Sequence, residues 1–424
     1  MWSCCIALVG PAGCGGLPPA GPSGAPARPP TVDTGILEHH LAIEAAVTGS
    51  PLTRGNRVVL LQDGPATYKA MLAAMAGARD HIHLETYILD DDEVGQRFVQ
   101  ALTERQAQGV QVNLIRDGMG TLGTPAALFD PLVASGGQVL VFNPLNPLVA
   151  RKTWELNQRD HRKLLIVDGR TAFLGGINIS SVYSGGSARR HSAERPAWRD
   201  TDLQLQGPVV AELQKLFLAA WAAQNGPALV PRDWFPVPEL PGHQLVRAIG
   251  SSPEEPFSAI HATLMSAIAH ARTSIQITVA YFAPDAPLQV ALQDAAARGV
   301  AVTLILPGQT DSWLVFHAGR ARYAALLQAG VRIVERQDAI LHAKTALIDG
   351  VWVTVGSTNL DWRSYVHNHE LNAVVLGQDF GGQVQAMFDK DLARSTPIRL
   401  EDWRRRGWLP RLKEWFAGWW EYWL

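Results

Sequence analysis

The chain has 424 residues, 47% of them hydrophobic and 18% charged, with a formal net charge of −2. This length predicts at least two compact units with a sizeable core, and the composition excludes a disordered chain. The near-neutral charge argues against a broad nucleic-acid-binding surface, because such surfaces carry a clear basic excess.

The first 33 residues form a segment that precedes the predicted folded part. All three cysteines, Cys4, Cys5 and Cys14, lie here, so no disulfide framework is predicted for the rest of the chain. The opening MWSCCIALVGPAGCGG resembles a secretory or lipoprotein signal in which Cys14 would carry the lipid, although no Lys or Arg precedes Arg28. A plain disordered tail is the alternative. Residues 15–33 are rich in Pro and Gly and predict a linker.

From Arg57 onward, short apolar runs alternate with longer amphipathic runs: RVVLLQDG, YKAMLAAMAGARD, HIHLETYI, GQRFVQALTERQAQG and VQVNLIRDG. This order predicts strand, helix, strand, helix, strand, which is typical of an α/β sheet. The second half repeats it with FSAIHATLMSAIAHAR, SIQITVAYF, LQVALQDAAARG and VAVTLILPG. The repetition predicts a tandem duplication: a first domain at 34–235, a joint in the Pro-rich WFPVPELPG, a second domain at 243–400 and a tail at 401–424. No apolar run is long enough to span a bilayer.

Each half carries the same motif, His-x-Lys-x4-Asp. It reads HRKLLIVDG from His161 in the first copy and HAKTALIDG from His342 in the second. A glycine and an asparagine follow each histidine by 14 and 17 residues; they are Gly175 and Asn178, then Gly356 and Asn359. Two matches with identical downstream spacing make a chance occurrence negligible.

These residue types suit phosphodiester chemistry. The motif lysines are Lys163 and Lys344, each two residues after its histidine, so both side chains point to one face of a buried strand. Histidine can act as a nucleophile or as a general acid/base near neutral pH, and lysine supplies a cation to phosphate oxygens. Asparagine adds neutral amide donors. Two such sets facing each other would form one pocket.

The duplicated motif resembles the hallmark of the phospholipase D superfamily. Further stretches resemble its bacterial cardiolipin synthase branch: NQRDHRKLLIVDG, GGINIS, WRDTD, SPLTRGN, GSTNLDWRS and NHE. The resemblance runs from about residue 37 to about residue 395. It implies an α/β fold of two tandem phospholipase D-like α/β/α domains with mixed β-sheets, and an active site at the interface between the copies.

The resemblance also implies a two-step displacement, in which one histidine attacks phosphorus to give a phosphohistidine and the other transfers protons. We assign His161 as the nucleophile and His342 as the acid/base, with the order interchangeable in principle. The groups implied to hold the phosphoryl oxygens are Lys163, Lys344, Asn178 and Asn359. No metal and no other cofactor is expected.

Each family histidine is oriented by a downstream acidic residue. Glu370 fits this role for the histidine of the second copy, and Asp200 is the matching acid of the first copy, after the inserted stretch YSGGSARRHSAERPA. Asp168 and Asp349 complete the two motifs, and we expect them to anchor the turn at the end of each strand. Asp202 stands where many cardiolipin synthases have His, which leaves the choice of substrate open.

The tail RRRGWLPRLKEWFAGWWEYWL places large apolar side chains at helical spacing beside several arginines. Its predicted membrane-binding residues are Trp415, Phe416, Trp419, Trp420 and Trp423. Trp favours the headgroup region and Arg meets anionic lipid, so the pattern predicts an interfacial helix. The alternative is a C-terminal helix that packs its aromatic face on the body or on a dimer partner.

These features favour a phosphatidyltransferase that joins two phosphatidylglycerol molecules, or phosphatidylglycerol and a second phospholipid such as phosphatidylethanolamine, into cardiolipin. Hydrolysis to phosphatidic acid is the alternative, because both reactions share the motifs. A nuclease and a catalytically silent membrane-binding protein are further hypotheses. The predicted partners are membrane phospholipids and the membrane surface, without nucleic acid. The predicted location is the bacterial cell membrane, with the protein peripheral or lipid-anchored.

Overall fold

Strands and helices alternate along both halves of the chain, as the sequence predicts. The computed structural model describes residues 35–47, 50–151, 155–186 and 198–420. The predicted signal segment, with Cys14, lies outside the described residues. The two copies form a single compact unit that begins at Ile36.

The first copy follows one extra helix, α1 (Ile36–Val47). Its elements are β1 (Thr53–Gln62), α2 (Asp63–Ala76), β2 (His81–Thr86), α3 (Glu93–Ala107), β3 (Gln111–Asp117), α4 (Asp130–Ala134), β4 (Gln138–Phe142), β5 (Arg159–Asp160), β6 (Leu164–Val167), β7 (Thr171–Gly175), β8 (Trp198–Arg199), β9 (Thr201–Gln206) and α5 (Val209–Ala223). Short 3-10 turns cover Ala126–Phe129, Pro147–Val149 and Ser181–Tyr183.

The second copy repeats this order. Its elements are β10 (Gln244–Ser251), α6 (Ala259–His270), β11 (Ser274–Val279), α7 (Ala286–Ala297), β12 (Ala301–Pro307), α8 (Trp313–Arg320), α9 (Tyr323–Gln328), β13 (Arg332–Arg336), β14 (Ile340–Leu341), β15 (Lys344–Ile348), β16 (Trp352–Gly356), α10 (Trp362–Val366), β17 (Asn368–Leu376) and α11 (Gln378–Ala393). Three elements follow it: β18 (Ser395–Ile398), α12 (Leu400–Arg405) and α13 (Trp408–Gly418).

Local sequence explains why equivalent helices begin at equivalent points. Asp92 caps α3, and its Oδ1 accepts hydrogen bonds from the backbone N–H groups of Val94 and Gly95, at 2.9 and 3.0 Å. Asp285 caps α7 in the same way and accepts from the N–H of Leu288 at 3.0 Å. An aspartate at this position satisfies N–H groups that the first helical turn leaves without partners.

The two copies contribute to one continuous mixed sheet. The strand order is β4-β3-β2-β6-β7-β9-β1 in the first copy, continuing through β10-β17-β16-β15-β11-β12-β13-β18 in the second. Strands β2, β3 and β4 run parallel, as do β11, β12 and β13, and the other neighbours are antiparallel. The copies join where β1 pairs antiparallel with β10, with Thr53 opposite Val246. This confirms the predicted α/β class with mixed sheets.

A shared core fixes the two copies against each other. Leu164, Leu203 and Phe217 of the first copy are buried in the same apolar cluster as Val355 and Phe380 of the second. Burial of apolar surface is the main favourable term in folding. The copies are therefore held in one relative position, which the arrangement of the site requires.

Helix α1 precedes the first copy in sequence but packs on the second. Glu44 accepts hydrogen bonds from the Trp352 indole, at 2.8 Å, and from the guanidinium of Arg247. His40 bonds Asp349 at 2.9 Å. Helix α1, which the sequence placed in the first domain at 34–235, thus packs on the second copy.

Candidate active site

Two short parallel strand pairings bring the motif histidines together. Strand β5, directly before His161, pairs with the start of β17, and the N–H of His161 donates to the carbonyl of His369 at 2.9 Å. Strand β14, directly before His342, pairs with β8, and the N–H of His342 donates to the carbonyl of Arg199 at 2.8 Å. Each histidine is therefore aligned by backbone that belongs to the other copy.

This alignment exchanges the acidic partners that the sequence pattern assigned. We expected Glu370 to orient His342 and Asp200 to orient His161, each within its own copy. Instead, Nδ1 of His161 lies 3.0 and 3.1 Å from the two carboxylate oxygens of Glu370. Nδ1 of His342 lies 2.7 Å from a carboxyl oxygen of Asp200. The expectation of intra-copy pairing was wrong. Each short strand pairing places the histidine beside the next residue of the other copy, which is Glu370 for His161 and Asp200 for His342.

The environment of His161 favours a neutral ring with its proton on Nδ1. Burial lowers the pKa of His161 to about 4, and the charges of Lys163 and Lys344 lower it as well, whereas Glu370 opposes the shift. Burial alone would raise the pKa of Glu370, but His161, Lys163 and Ser357 together hold it below its usual value. Glu370 is therefore ionised and accepts a hydrogen bond from Nδ1–H of His161, which leaves the Nε2 lone pair available for reaction.

His342 has a different set of neighbours. Besides Asp200, the phenol oxygen of Tyr183 lies 3.3 Å from its Nδ1. Burial and the charge of Lys344 lower the pKa of His342, and Asp200 opposes them. Asp200 is itself fixed by its backbone, which exchanges two hydrogen bonds with Asp63, both at 3.1 Å.

The motif lysines lie buried behind the histidines. Nζ of Lys163 donates to the carbonyl of His161, and Nζ of Lys344 donates to the carbonyl of His342. Nζ of Lys344 also lies 3.2 Å from Nε2 of His342, the nitrogen left for chemistry. Burial lowers the pKa of Lys163 to about 7 and lowers that of Lys344. An anion bound beside these groups would stabilise their charged forms and raise both pKa values.

The asparagines join the histidines in one cleft of about 650 Å³, to which both copies contribute. The side-chain oxygen of Asn178 accepts from the N–H of Ile88 at 3.2 Å, and its amide donates to the Tyr183 hydroxyl at 3.2 Å. The N–H of Asn359 donates to Ser364 at 3.1 Å, and its side-chain oxygen is buried without a hydrogen-bond partner among the described residues.

The cleft has acidic and basic sections. Asp311 and Asp361 line it near Tyr281, whose hydroxyl donates to Asp311 at 2.8 Å. Burial raises the pKa of Asp361 to about 7. Arg363 lines another part of the cleft and donates to the side-chain oxygen of Asn157 at 3.0 Å. None of these residues was singled out from the sequence, since each stands outside the motif.

The motif aspartates lie at the far ends of their strands, away from the cleft. Asp168 has a φ of +54° and accepts from three successive backbone N–H groups, those of residues 79–81, at 2.8–3.1 Å. Asp349 has a φ of +52° and accepts from those of residues 272–274, at 2.7–3.1 Å. These bonds tie the strand-end turn to the start of β2 or β11, which is the anchoring expected for this position. Neither carboxylate contacts the cleft.

One position beside the acidic residues differs between the copies: it is Gly176 next to Asp200 and Ser357 next to Glu370. A Cβ added to Gly176 would lie 2.3 Å from the carboxyl of Asp200, so a side chain there would displace it. The equivalent residue in the second copy is Ser357, whose hydroxyl donates to Glu370. The sequences GGIN and GSTN already contain this Gly–Ser difference, but its link to the two acids is recognised only once the cross-copy pairing is known.

The tail forms helix α13, and most of its aromatic side chains are exposed. Trp415, Phe416, Trp419 and Trp420 are all 46–68% exposed, whereas Ala417 is fully buried. Trp423 lies outside the described residues. Within the described part of the chain, every helix is too short or too polar to cross a membrane. The same part contains no group of three or more His, Cys, Asp or Glu side chains placed to hold a metal ion.

A duplicated α/β domain that brings one histidine and one asparagine from each copy to a shared cleft, each histidine with a buried lysine bonded to its carbonyl, defines a phospholipase D-like architecture. A family model described as cardiolipin synthase, PLD-like domain, matches residues 71–186 and 264–392. The matched segments cover more than half of the chain and contain both motif histidines. The chain belongs to this family.

Curated relatives and solved structures agree with this assignment. The chain is 32% identical to a cardiolipin synthase of Geobacillus kaustophilus over 367 residues, 86% of this chain and 72% of the relative. It is also 32% identical to a cardiolipin synthase of Halalkalibacterium halodurans over 380 residues, 89% of this chain and 73% of the relative. The crystal structure of phosphatidylserine synthase from Haemophilus influenzae Rd KW20 superposes with a TM-score of 0.64 at 14% identity, covering 90% of this chain and 97% of that one. This last likeness concerns the fold alone.

Proposed function

We propose that the chain is a phosphatidyltransferase that joins two phosphatidylglycerol molecules into cardiolipin and releases glycerol. One observation carries the proposal: His161 and His342, from different copies, line one cleft, and each has its Nδ1 bonded to a buried acidic side chain. Two histidines at one site, each with Nδ1 held by an acid so that Nε2 is the nitrogen left for chemistry, suit a double displacement. The names of the relatives at 32% identity support the lipid substrate.

In the first step, Nε2 of His161 attacks the phosphorus of the donor lipid. A P–N bond forms while the bond from phosphorus to the glycerol headgroup oxygen breaks, and His342 gives its Nε2 proton to that oxygen. Glu370 stabilises the positive charge that develops on the His161 ring. The bound phosphodiester places a negative charge beside His342 and so raises its pKa, which supplies the protonated acid that this step needs.

The lysines and asparagines stabilise the charge on phosphorus. In the transition state the non-bridging oxygens carry more negative charge than in the bound lipid, so fixed donors in a buried site act mainly on the barrier. Lys163 and Lys344 supply cations, and Asn178 and Asn359 supply amide groups from the cleft wall. A set of this kind, two cations and two amides, needs no metal to balance a phosphodiester anion.

In the second step, the headgroup hydroxyl of a second phosphatidylglycerol loses its proton to His342 and attacks phosphorus. The P–N bond breaks, His161 is regenerated, and the two phosphatidyl groups share one glycerol. Asp311, Asp361 and Tyr281 line the same cleft as His342 and offer partners to the hydroxyls of the acceptor. Water in the same position would give phosphatidic acid, and phosphatidylethanolamine in the first step would release ethanolamine in place of glycerol.

We also propose a peripheral location on the bacterial membrane. Exposed aromatic side chains on α13 support attachment through this helix, because Trp partitions into the headgroup region. A lipid on Cys14 would be an additional anchor.

The test is incubation of the full chain with phosphatidylglycerol vesicles, with and without phosphatidylethanolamine, and identification of all lipid products by mass spectrometry. Cardiolipin with equimolar glycerol, lost in His161→Ala, is the expected result. We expect that substitution to lower the rate by at least about 10³-fold. Phosphatidic acid as the sole product would replace the proposal with hydrolysis, and cleavage of DNA without lipid turnover would replace it with a nuclease.

A further inference from the structure

Helix α13, which carries the exposed apolar residues of the tail, packs against a helix that lines the catalytic cleft. Helix α13 packs on α8, and buried Ala417 joins Ala283, Val315 and Ala318 in one small apolar cluster. Val315 also lines the cleft. The tail is therefore fixed on the second copy, against helix α8, which forms part of the cleft wall.

Further contacts hold the inner face of α13 and so orient its outer face. Glu414 is buried and forms an ion pair with Arg406, whose guanidinium stacks on the ring of Trp403. With the inner face held by Ala417 and Glu414, the opposite face of the helix turns outward. That face carries apolar side chains 46–70% exposed, at Trp408, Leu409, Leu412, Trp415, Phe416 and Trp419.

The first copy contributes a second apolar section of the rim. Met119 and Leu156 line the cleft and are 41% and 46% exposed. The loops that hold them carry three more exposed apolar side chains, Leu122, Leu148 and Val149, at 65%, 91% and 60%. Monomeric proteins seldom expose so many large apolar groups around one opening without a partner for them.

Cationic side chains flank the tail section. Residues 400–420 contain five Lys or Arg residues and three Asp or Glu residues. One of each is used in the pair between Arg406 and Glu414, and four of the cations, Arg404, Arg405, Arg411 and Lys413, are exposed. This local excess contrasts with the net charge of −2 for the whole chain. It complements an anionic lipid surface, which attracts basic segments that adjoin apolar anchors.

We infer that these two sections form a membrane-binding rim around the cleft mouth, which seats the active site directly on an anionic bilayer. The rim consists of the exposed apolar residues of α13 together with Met119, Leu122, Leu148, Val149 and Leu156. This inference rests on the proposed lipid substrate and deepens it: donor and acceptor lipids would reach His161 and His342 from the bilayer while their acyl chains stay in apolar surroundings. The flanking cations, the cleft-lining Met119 and Leu156, and the packing of α13 on cleft-lining α8 favour a lipid surface over a second copy of the chain.

The experiment uses two variants of the full chain that leave the cleft lining intact: Trp415→Ala/Trp419→Ala in the tail, and Leu122→Ser/Leu148→Ser in the first-copy loops. The matched control is Val237→Ser/Leu240→Ser. These two residues are 85% and 70% exposed in the joint, which packs on Gly169 at the strand ends opposite His161. Each protein is tested for sedimentation with phosphatidylglycerol vesicles and for turnover of vesicle-bound and monomeric short-chain phosphatidylglycerol.

Both rim variants should bind vesicles at least tenfold more weakly, and their turnover on vesicles should fall by a similar factor while turnover of monomeric lipid stays unchanged. The control should match the parent chain in all three measurements. Unchanged vesicle binding in both rim variants would overturn the inference, as would loss of a dimer in sedimentation velocity with vesicle binding intact. Absence of turnover on either form of lipid would refute the proposed function instead, and vesicle binding would still test the rim.

Discussion

Replacement of Glu370 by Gln tests the cross-copy pairing, because it keeps the size of the side chain and removes its charge. The carboxylate is fully buried and accepts from Nδ1 of His161 at 3.0 Å, from the Ser357 hydroxyl and from the Asn368 amide at 3.2 Å. Hydrogen bonds to charged groups contribute about 1.5–3 kcal/mol. Loss of this stabilisation from the charged His161 ring corresponds to about a 10- to 150-fold slower first step. Gln also offers one acceptor oxygen to three donors, so the loss should lie at the upper end.

The pH profile of Glu370→Gln gives an independent sign. Burial lowers the pKa of Lys163 to about 7, and the charge of Glu370 opposes that shift. Removal of the charge therefore lowers the pKa of Lys163 further, and the alkaline limb of kcat/KM should move to lower pH. Loss of packing alone would leave the position of that limb unchanged.

The assay is a single-turnover reaction with labelled phosphatidylglycerol, quenched in alkali so that a phosphohistidine survives. Glu370→Gln should slow formation of the protein-bound label, and the matched variant Asp200→Asn should act through proton transfer by His342. A double-mutant cycle should be strongly non-additive for Glu370→Gln with His161→Ala. Normal labelling in Glu370→Gln, or non-additivity with His342→Ala in place of His161→Ala, would refute the pairing.

Three further outcomes follow from the site. The unmodified chain should lose kcat/KM as the pH rises through about 7, since the reaction needs charged Lys163, whose pKa is about 7, and protonated His342, whose pKa is lowered by burial; a rise in kcat/KM through pH 7 would contradict this. Asp349→Ala should lower the free energy of unfolding by roughly 1–3 kcal/mol, measured by urea titration, with turnover per folded molecule kept within a few fold; a loss confined to turnover would assign the residue to catalysis. Gly176→Ala should slow lipid turnover at least tenfold by displacing Asp200, and a crystal structure with Asp200 unmoved would rule out that cause.

Much of the fold follows from local sequence. Alternation of apolar and amphipathic runs predicted the strands and helices of both copies, and the repeated spacing after His161 and His342 predicted two equivalent domains. These signals are local, so a single sequence carries them. The position of Asp168 at a strand end led us to expect that it anchors the turn there, and its bonds to the N–H groups of residues 79–81 have this effect.

Contacts between distant segments could not be predicted in the same way. The pairing of β5 with β17 joins residues about 210 positions apart, and it spans only two residues of each strand, which is too short to leave a periodic pattern. Linear spacing therefore assigned Glu370 to the nearer histidine. Helix α1 similarly gave no sign that Glu44 would meet Trp352, since a buried glutamate and its partners are identified only in three dimensions.

The tail combines a feature that the sequence predicts with a contact that it does not. The spacing of Trp415 and Trp419 predicted a helix with an aromatic face, and that face is exposed. The inner contact depends on the packing of Ala417 near Val315, and a single alanine does not stand out in the apolar pattern of the sequence. The attachment of the tail beside the cleft is therefore information that the structure adds.

The most direct test of the proposed mechanism is to locate the phosphatidyl group on the protein before it reaches the acceptor. The chain is mixed briefly with phosphatidylglycerol, quenched in alkali and digested, and the peptides are read by mass spectrometry. A phosphatidyl adduct on the peptide that contains His161, formed and consumed as cardiolipin appears and absent in His161→Ala, is the predicted result. An adduct on the His342 peptide would reverse the two roles, and cardiolipin formed with no adduct on either peptide would contradict the covalent mechanism.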